Sequence, residues 1–465
     1  MGSQRRGAEL SGIDKVVVGD ATLYTGSCLD VLPLLPADSV HCVVSSPPYW
    51  GLRDYGTATW EGGSAECGHQ VGRFTRSGLE GSKQITNSGS SAHEHISDGG
   101  VCPKCGAIRH DPGIGLEPTF AMWLDNMVAV MREVKRVLRP DGVCWINIGD
   151  CYVGSNNKAI GDMAYKYAAR GTDENVKKEI PGLAAKQLMM MPARLALALQ
   201  AAGWWLRSEI VWAKPNPMPE SVTDRPTSAH EKIYLLTKRA HYFYDADAVR
   251  EEHVTDAPNK LRDKSKEAYN ESYPGGHFSE GARPEGNPAG RNLRNVWNIP
   301  TQAFPESHFA TFPEELVRRC IAAGTSEHGV CGKCGKQWER VSEIPYDDEH
   351  PTYSNWLKLQ ECNTKYAGHK EQDSRGHGSE VSRYYKEVWN SKGSPKQTLG
   401  WRPGCECNAG EPVGATVLDP FSGAATTGLV ALKMGRRYIG IELNPAYNKI
   451  ALDRIQAEAN QQKLW

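Results

Sequence analysis

"VLDPFSGAATTG", residues 417–428, places an aspartate at the carboxyl end of a short apolar run and then breaks into a turn of small residues. The run has the character of a strand, Gly423 permits a tight turn, and a helix is expected to begin near Ala424 to Thr427. A second strand, "RYIGIELN" (437–444), follows and carries Glu442 about 20 residues past the turn. In open α/β sheets, ligands bind outside the carboxyl ends of the strands, where small residues allow close backbone approach. Glu442 is placed there to accept hydrogen bonds from a ribose hydroxyl pair. The further glycine of the dinucleotide fingerprint is missing, which favours an adenosine ligand without a pyrophosphate over NAD. The competing explanation is an ordinary strand-to-helix turn with an unrelated acid.

A second strand exit lies near the other end of the chain, in "CVVSSPPYWG" (42–51). The apolar run Cys42 to Val44 suggests a buried strand. Pro47 and Pro48 forbid its continuation and hold the backbone extended. The turn thus displays a serine hydroxyl, free carbonyls and the rings of Tyr49 and Trp50.

At 465 residues the chain can bury a full core and carry additions to it. Its apolar stretches are too short to span a bilayer, and the N-terminus lacks the apolar segment of a signal peptide, so a soluble, cytoplasmic protein without membrane contact is expected. The net charge of −1 gives no hint of a nucleic-acid partner, which would have to be held by local basic patches. Thirteen cysteines in a long chain without an export signal argue against a disulfide scaffold. Cys28, Cys42, Cys144, Cys151 and Cys320 are scattered among apolar residues and fit a core; others fall in close pairs.

The N-terminal segments "KVVVGDATLYTG", "CLDVLPLLP" and "SVHCVVSSPPYW" have a strand, helix, strand rhythm. Apolar residues at helical spacing over "FAMWLDNMVAVMREVKRVL" (120–138) predict a helix, ended by a turn at Arg139 to Gly142 and followed by the strand "VCWINIGD". "AKQLMMMPARLALALQAAG" (185–203) suggests a helix containing a proline, and "WWLRSEIVWAKP" a strand. "KIYLLTK" and "YFYDADAVR" suggest an antiparallel pair. The expected division is a core half at 14–59, an insertion at 60–112, core at 113–250, an irregular stretch at 251–295, core at 296–325, a second insertion at 326–410 and a final core half at 411–465.

Taken together, "SPPY" after a strand and "DPFSGAATTG" near the C-terminus resemble the DNA amino-methyltransferases, which methylate an exocyclic nitrogen using S-adenosylmethionine. The catalytic motif precedes the cofactor motif, as in the circularly permuted β group. "REVKRVLRPDGVCWINIGD", "EIVWAKPNPMPESVTDRPTSAHEKIYLLTK" and "HFATFPEELVRRCI" are similar to further blocks of that family. The resemblance implies an α/β methyltransferase fold: a doubly wound, mostly parallel sheet with an antiparallel hairpin. It implies Ser46, Pro47, Pro48 and Tyr49 as catalytic. Asp419, Phe421, Ser422, Gly423, Thr426 and Thr427 match the methionine-binding turn, and Glu442 the ribose-binding acid. Asp30 resembles the acid near the adenine amino group, though a helix N-terminal acid is an equal reading. Thr311, Phe312 and Pro313 resemble the segment that closes over the cofactor.

Such an amino group is a poor nucleophile because its lone pair is delocalised into the ring. The Ser46 oxygen and the Pro47 carbonyl can each accept one N–H and draw the lone pair toward the methyl carbon, while Tyr49 offers a ring for a flipped base. Serine in the first position resembles the N4-cytosine enzymes; N6-adenine is the alternative, and a zinc-containing DNA-binding protein that has lost activity is a further one.

The paired cysteines predict two structural zinc sites. Cys67, His69, Cys102 and Cys105 bracket the first insertion, with His93, His95 or His110 as substitutes for His69; Cys331, Cys334, Cys405 and Cys407 bracket the second. Glycine after each C-x2-C pair lets backbone N–H groups turn toward the thiolates. Double-stranded DNA is expected to meet Trp50, Arg53 and Lys214 near the cleft. The resemblance implies that 251–295 is the target-recognition region; its basic residues (Lys260, Arg262, Lys264, Lys266, Arg283, Arg291 and Arg294) and the basic, aromatic second insertion suit phosphate contact and stacking.

Overall fold

The computed structural model describes residues 13–51, 57–64, 66–68, 102, 104–110, 112–117, 119–153, 181–252, 291–302, 312–343, 397–408 and 410–462. Its strands are β1 (Asp14–Val18), β2 (Ala21–Thr25), β3 (Val40–Ser45), β4 (Thr59–Glu61), β5 (Ile108–His110), β6 (Leu138–Ile148), β7 (Trp205–Ala213), β8 (His230–Thr237), β9 (Val296–Asn298), β10 (Glu339–Glu343), β11 (Gln397–Arg402), β12 (Thr416–Asp419) and β13 (Arg437–Glu442). Its α-helices are α1 (Cys28–Val31), α2 (Phe120–Val137), α3 (Met191–Ala201), α4 (Glu314–Gly324), α5 (Thr426–Lys433) and α6 (Pro445–Gln462).

Two compact units divide the chain, one formed by 1–244, 294–337 and 409–465 and the other by 245–293 and 338–408. The first is built on a sheet of order β1-β2-β13-β12-β3-β6-β8-β7-β9. From β2 through β13, β12 and β3 to β6 every neighbour is parallel; β1 pairs antiparallel with β2, and β8 antiparallel with both β6 and β7. All six residues of β3 are buried, as expected of a strand covered on both faces. Trp123, Met127, Val130 and Val134 of α2 join Val43, Ile146 and Leu195 of α3 in one core cluster. On the opposite face α4 packs so closely that a Cβ on Gly324 would lie 2.4 Å from Val143 and 3.0 Å from the Cys42 sulfur. The second unit contains the antiparallel pair β10 and β11, where Arg340 pairs with Asp245 at 2.9 Å and lies 4.3 Å from the Trp401 ring centre.

The methyltransferase-type α/β sheet expected from the sequence is present, with four local corrections. "KVVVGDATLYTG" is a hairpin, β1 and β2, because Gly19 takes a φ of 55° and reverses the chain. Arg139 to Gly142 do not separate the helix from the strand: β6 already begins at Leu138, and these residues bulge where the register to β3 slips between Val40 and Cys42, with Arg139 paired to Asp141 at 2.9 Å. The proline-containing helix starts only at Met191, since Pro192 lacks an N–H and is tolerated in the first turn. The antiparallel partner of "KIYLLTK" is β7 and not "YFYDADAVR", whose only regular element is a 3-10 turn at Asp247–Val249. No helix among the described residues is long and apolar enough to cross a membrane.

Candidate active site

Strand β3 lies between β12 and β6, where the strand order turns back on itself; a chain leaving β3 therefore enters the crevice at the carboxyl edge. The Ser-Pro-Pro-Tyr turn begins there and is held rigidly. Trp123 of α2 donates its indole N–H to the Pro48 carbonyl at 3.0 Å, and Gly51 N–H meets Gly115 O at 2.6 Å. Gly115, at φ 117°, leaves room for the prolines: a Cβ there would lie 3.1 Å from Pro48. Ser46 and Tyr49 keep partial exposure, and Pro47 is buried. Trp50 corrects an expectation. It is fully buried, packs edge-on to Phe120 and donates to Glu117 O at 2.8 Å, so it is an anchor of the turn and offers no face to DNA. A buried ring of this size supports the fold by about 3–5 kcal/mol.

The glycine turn at the end of β12 is tied directly to the end of β3. Asp419, 1% exposed, accepts from Ser45 Oγ at 2.6 Å, from Phe421 N–H at 3.1 Å and from Thr427 Oγ1 at 2.9 Å. Burial pushes its carboxyl up to about 6. Asp419 therefore sits beneath the turn, joining the residue before Ser46 to the glycine loop. Thr427 is fully buried and spans Asp419 and the Val44 carbonyl, and the Ser422 hydroxyl bonds Tyr438 at 2.9 Å. These side chains shape the loop from within. Thr426, nearly buried, is approached by Arg454 of α6 at 3.3 Å. Phe421 packs partly on the core.

Glu442 is the acid that reaches the turn from above the neighbouring strand. Its two carboxylate oxygens accept from Gly423 N–H and Asn444 N–H, each at 2.8 Å, and each oxygen retains a lone pair. Burial raises its carboxyl above the usual glutamate range. Gly423 is demanded by its φ of 51°, not by crowding. Asp30 sits exposed in the first turn of α1, capped by Ser27, and β2 brings this turn beside β13 through Gly26 N–H to Glu442 O at 2.9 Å. Pro313 is the N-cap of α4 and is buried; Phe312 is half-buried. Thr311, Arg53, His69, Lys260, Arg262, Lys264, Lys266 and Arg283 lie outside the described residues. Arg291 is paired with Glu251 at 2.9 Å, and the Arg294 carbonyl accepts from Trp297.

Two polar residues at this edge, Glu231 and Asn147, had no signal of their own in the sequence. Tyr49 OH donates to Glu231 Oε2 at 2.9 Å, and Asn147 Nδ2 donates to the same oxygen at 3.0 Å. Lys214, expected to contact DNA, pairs with the other Glu231 oxygen and lies 4.5 Å from the Trp212 ring centre. Glu231 and Asn147 could be found only from pairing: β8 runs antiparallel to β6, which puts its first residues beside the last residues of β6.

The first cysteine group is assembled by the β4 and β5 hairpin. Ligand atoms of Cys67, Cys102 and Cys105 lie within 4.8 Å of one another, all as free thiols. Backbone N–H groups of Ser64 and Ala107 pull the Cys105 thiol down, and a Cβ on Gly63 would come 2.7 Å from its sulfur. Three thiols brought together, with N–H groups turned toward one of them, fit zinc. In the second pair, Cys331 N–H meets Lys336 O and Gly335 N–H meets Cys331 O, both at 2.8 Å. This knuckle is docked on the amino ends of β3 and β6, away from the Ser-Pro-Pro-Tyr turn. His41, buried and pushed down to about 4 by burial, accepts from Thr416 N–H and so donates Nε2–H to Gly335 O at 2.8 Å. Arg139 donates to Cys334 O at 2.8 Å. Cys405 and Cys407 belong to the second unit.

A family described as DNA methylase, N6_N4_Mtase, matches residues 40–332 and 407–453. The type II methyltransferase M.Cfr9I of Citrobacter freundii is 32% identical over 439 residues, covering 94% of this chain and 88% of the relative. M.XycI of Xanthomonas campestris pv. cyanopsidis is 32% identical over 455 residues, covering 96% and 94%. A short stretch of 47 residues, 10% of this chain and 16% of the relative, is 49% identical to the DNA adenine methyltransferase YhdJ of Escherichia coli. Among solved structures, the PvuII DNA methyltransferase (cytosine-N4-specific) is 13% identical and covers 96% of this chain and 93% of its own, with a TM-score of 0.38.

Proposed function

We propose that this chain, which belongs to the N6_N4_Mtase family of DNA methylases and transfers methyl groups from S-adenosylmethionine to DNA, acts on the exocyclic N4 of a cytosine flipped out of the duplex. One observation carries the reading: Ser45 binds Asp419 at 2.6 Å, which puts the Ser46 hydroxyl next to the loop that Glu442 completes. The reactive amine and the methyl donor would then meet across the β3 and β12 edge. The cofactor supplies an electrophilic methyl group on a sulfonium. Glu442 would hold its ribose, and the backbone of Phe421 to Ala424 would line its methionine end.

Ser46 Oγ and the Pro47 carbonyl would accept the two amine N–H bonds and turn the nitrogen lone pair toward the methyl carbon. Serine, uncharged, offers one lone-pair acceptor without an ionised carboxylate beside the base, and this first letter supports cytosine. Adenine N6 is the second reading, favoured by the stretch shared with the DNA adenine methyltransferase. Digestion of methylated duplex DNA to nucleosides, followed by mass spectrometry, is expected to return N4-methylcytosine; N6-methyladenine alone would decide for the second reading. Calorimetry with S-adenosylmethionine is expected to show binding, and its absence would favour an inactive DNA-binding protein.

The relatives named type II methyltransferases support a place beside a restriction enzyme. The cysteine groups would each hold a structural zinc, Cys67, Cys102 and Cys105 with His69, and Cys331 and Cys334 with Cys405 and Cys407. In the second site the completing pair rests on sequence spacing. Metal analysis of the purified chain is expected to give two zinc ions per molecule; none would remove both sites.

A further inference from the structure

Hydrogen bonds behind the catalytic turn run in one direction. Ser46 Oγ donates to Tyr49 OH at 3.3 Å, and Tyr49 OH donates to Glu231 Oε2 at 2.9 Å. An ionised carboxylate can only accept, so the Tyr49 proton is directed at Glu231 and the Tyr49 oxygen is left to accept from Ser46. With its single proton so directed, Ser46 Oγ presents lone pairs to anything bound in front of it. Glu231 is held from several sides, by Asn147 Nδ2 at 3.0 Å and by Lys214. Gly149 makes the approach possible: a Cβ there would lie 2.9 Å from the Tyr49 ring and 3.6 Å from the Glu231 carboxyl carbon.

We propose that Ser46, Tyr49 and Glu231 form a proton relay that removes the proton released when the target amino nitrogen is methylated. The proposal rests on the methyltransferase reading and adds the fate of the proton to it. As the N–C bond forms, the C–S bond breaks and its electron pair returns to sulfur, leaving a neutral thioether. The nitrogen then carries one proton too many. It passes to Ser46 Oγ while Ser46 hands its own proton to Tyr49, and Tyr49 hands its proton to Glu231. Glu231 ends as a neutral carboxylic acid and releases the proton to solvent afterward. A carboxylate is a far stronger base than a serine or neutral tyrosine oxygen, so of the three groups it is the one that can take the proton in passing before solvent does. Glu231 acts through the other two and does not touch the base; it is a positioning and proton-accepting residue.

Single-turnover methyl transfer to duplex DNA tests the relay in the full-length chain. Glu231→Gln is expected to slow the step on the order of 100-fold, with cofactor Kd and DNA KM within about threefold. Tyr49→Phe, which keeps the ring, is expected to slow it similarly, and the double variant no further. The wild-type rate is expected to fall in acid, because a relay that ends on a protonated carboxyl has nowhere to deliver the proton; in Glu231→Gln that fall disappears. Lys214, just past β7, and Tyr49 contact Glu231 directly, His230 and Lys232 adjoin it on β8, and Asp150 follows the end of β6 and faces His230. A full rate in Glu231→Gln, or a slow variant that keeps the acidic fall, overturns the relay. Should Glu231→Gln not fold, a full rate in Tyr49→Phe overturns it equally. Active wild type with active variants sinks only the relay; wild type that transfers no methyl group to DNA sinks the methyltransferase reading with it.

Discussion

Alanine at Ser46 is expected to lower methyl transfer to duplex DNA about 1,000-fold while leaving cofactor binding intact. The hydroxyl is the acceptor best placed to orient the amine, and loss of one pre-organised polar contact in a transition state costs about 3–4 kcal/mol. The turn itself should survive. Its position is fixed by Trp123 on the Pro48 carbonyl, by Gly51 on Gly115 and by the buried ring of Trp50, none of which involves the Ser46 side chain. The experiment is a single-turnover assay paired with calorimetry. A rate within tenfold of wild type would remove Ser46 from the chemistry, and a lost affinity for S-adenosylmethionine would place it in the cofactor site instead.

Glu442→Ala is expected to weaken S-adenosylmethionine binding by 100-fold or more. Hydrogen bonds to a charged group contribute about 1.5–3 kcal/mol each, so losing a ribose hydroxyl pair removes about 3–6 kcal/mol. The same substitution frees Gly423 N–H and Asn444 N–H, which loosens the turn as well. Asp419→Asn is the control. Its carboxylate is turned inward onto Ser45, Phe421 and Thr427, and an amide can accept from the first two and donate to the third. Cofactor affinity in that variant should stay within a few-fold. Equal losses in the two variants, measured by calorimetry, would show that the inward-facing acid binds the ligand after all.

Much of the site was legible because its parts are local. Two prolines after an apolar run end a strand wherever they occur, and a glycine after Asp-Pro-Phe-Ser permits the positive φ that the turn adopts. The C-x2-C-G pairs announced their knuckles for the same reason, since the backbone conformation is set within a few residues. Where the reading went astray, a longer-range partner decided. Arg139 to Gly142 look like a turn, yet they are carried inside β6 as a bulge between its two points of pairing with β3, and "YFYDADAVR" has strand composition but does not pair with β8, whose two sides are taken by β6 and β7. Trp50 follows the Ser-Pro-Pro-Tyr turn directly, which suggests a place at the surface; its position inside the core depends on Phe120 and Glu117.

By itself, the sequence determined the local turns: a serine and proline turn, a glycine turn followed by Glu442, and paired thiols, each encoded in a handful of adjacent residues. Only the tertiary structure decided which groups act together. Asp419 became the link between β3 and β12, and Glu231, Asn147 and Lys214 gathered behind Tyr49. Parallel and antiparallel strand pairing joins residues hundreds of positions apart, and register fixes which of them share an edge; no local pattern carries that information.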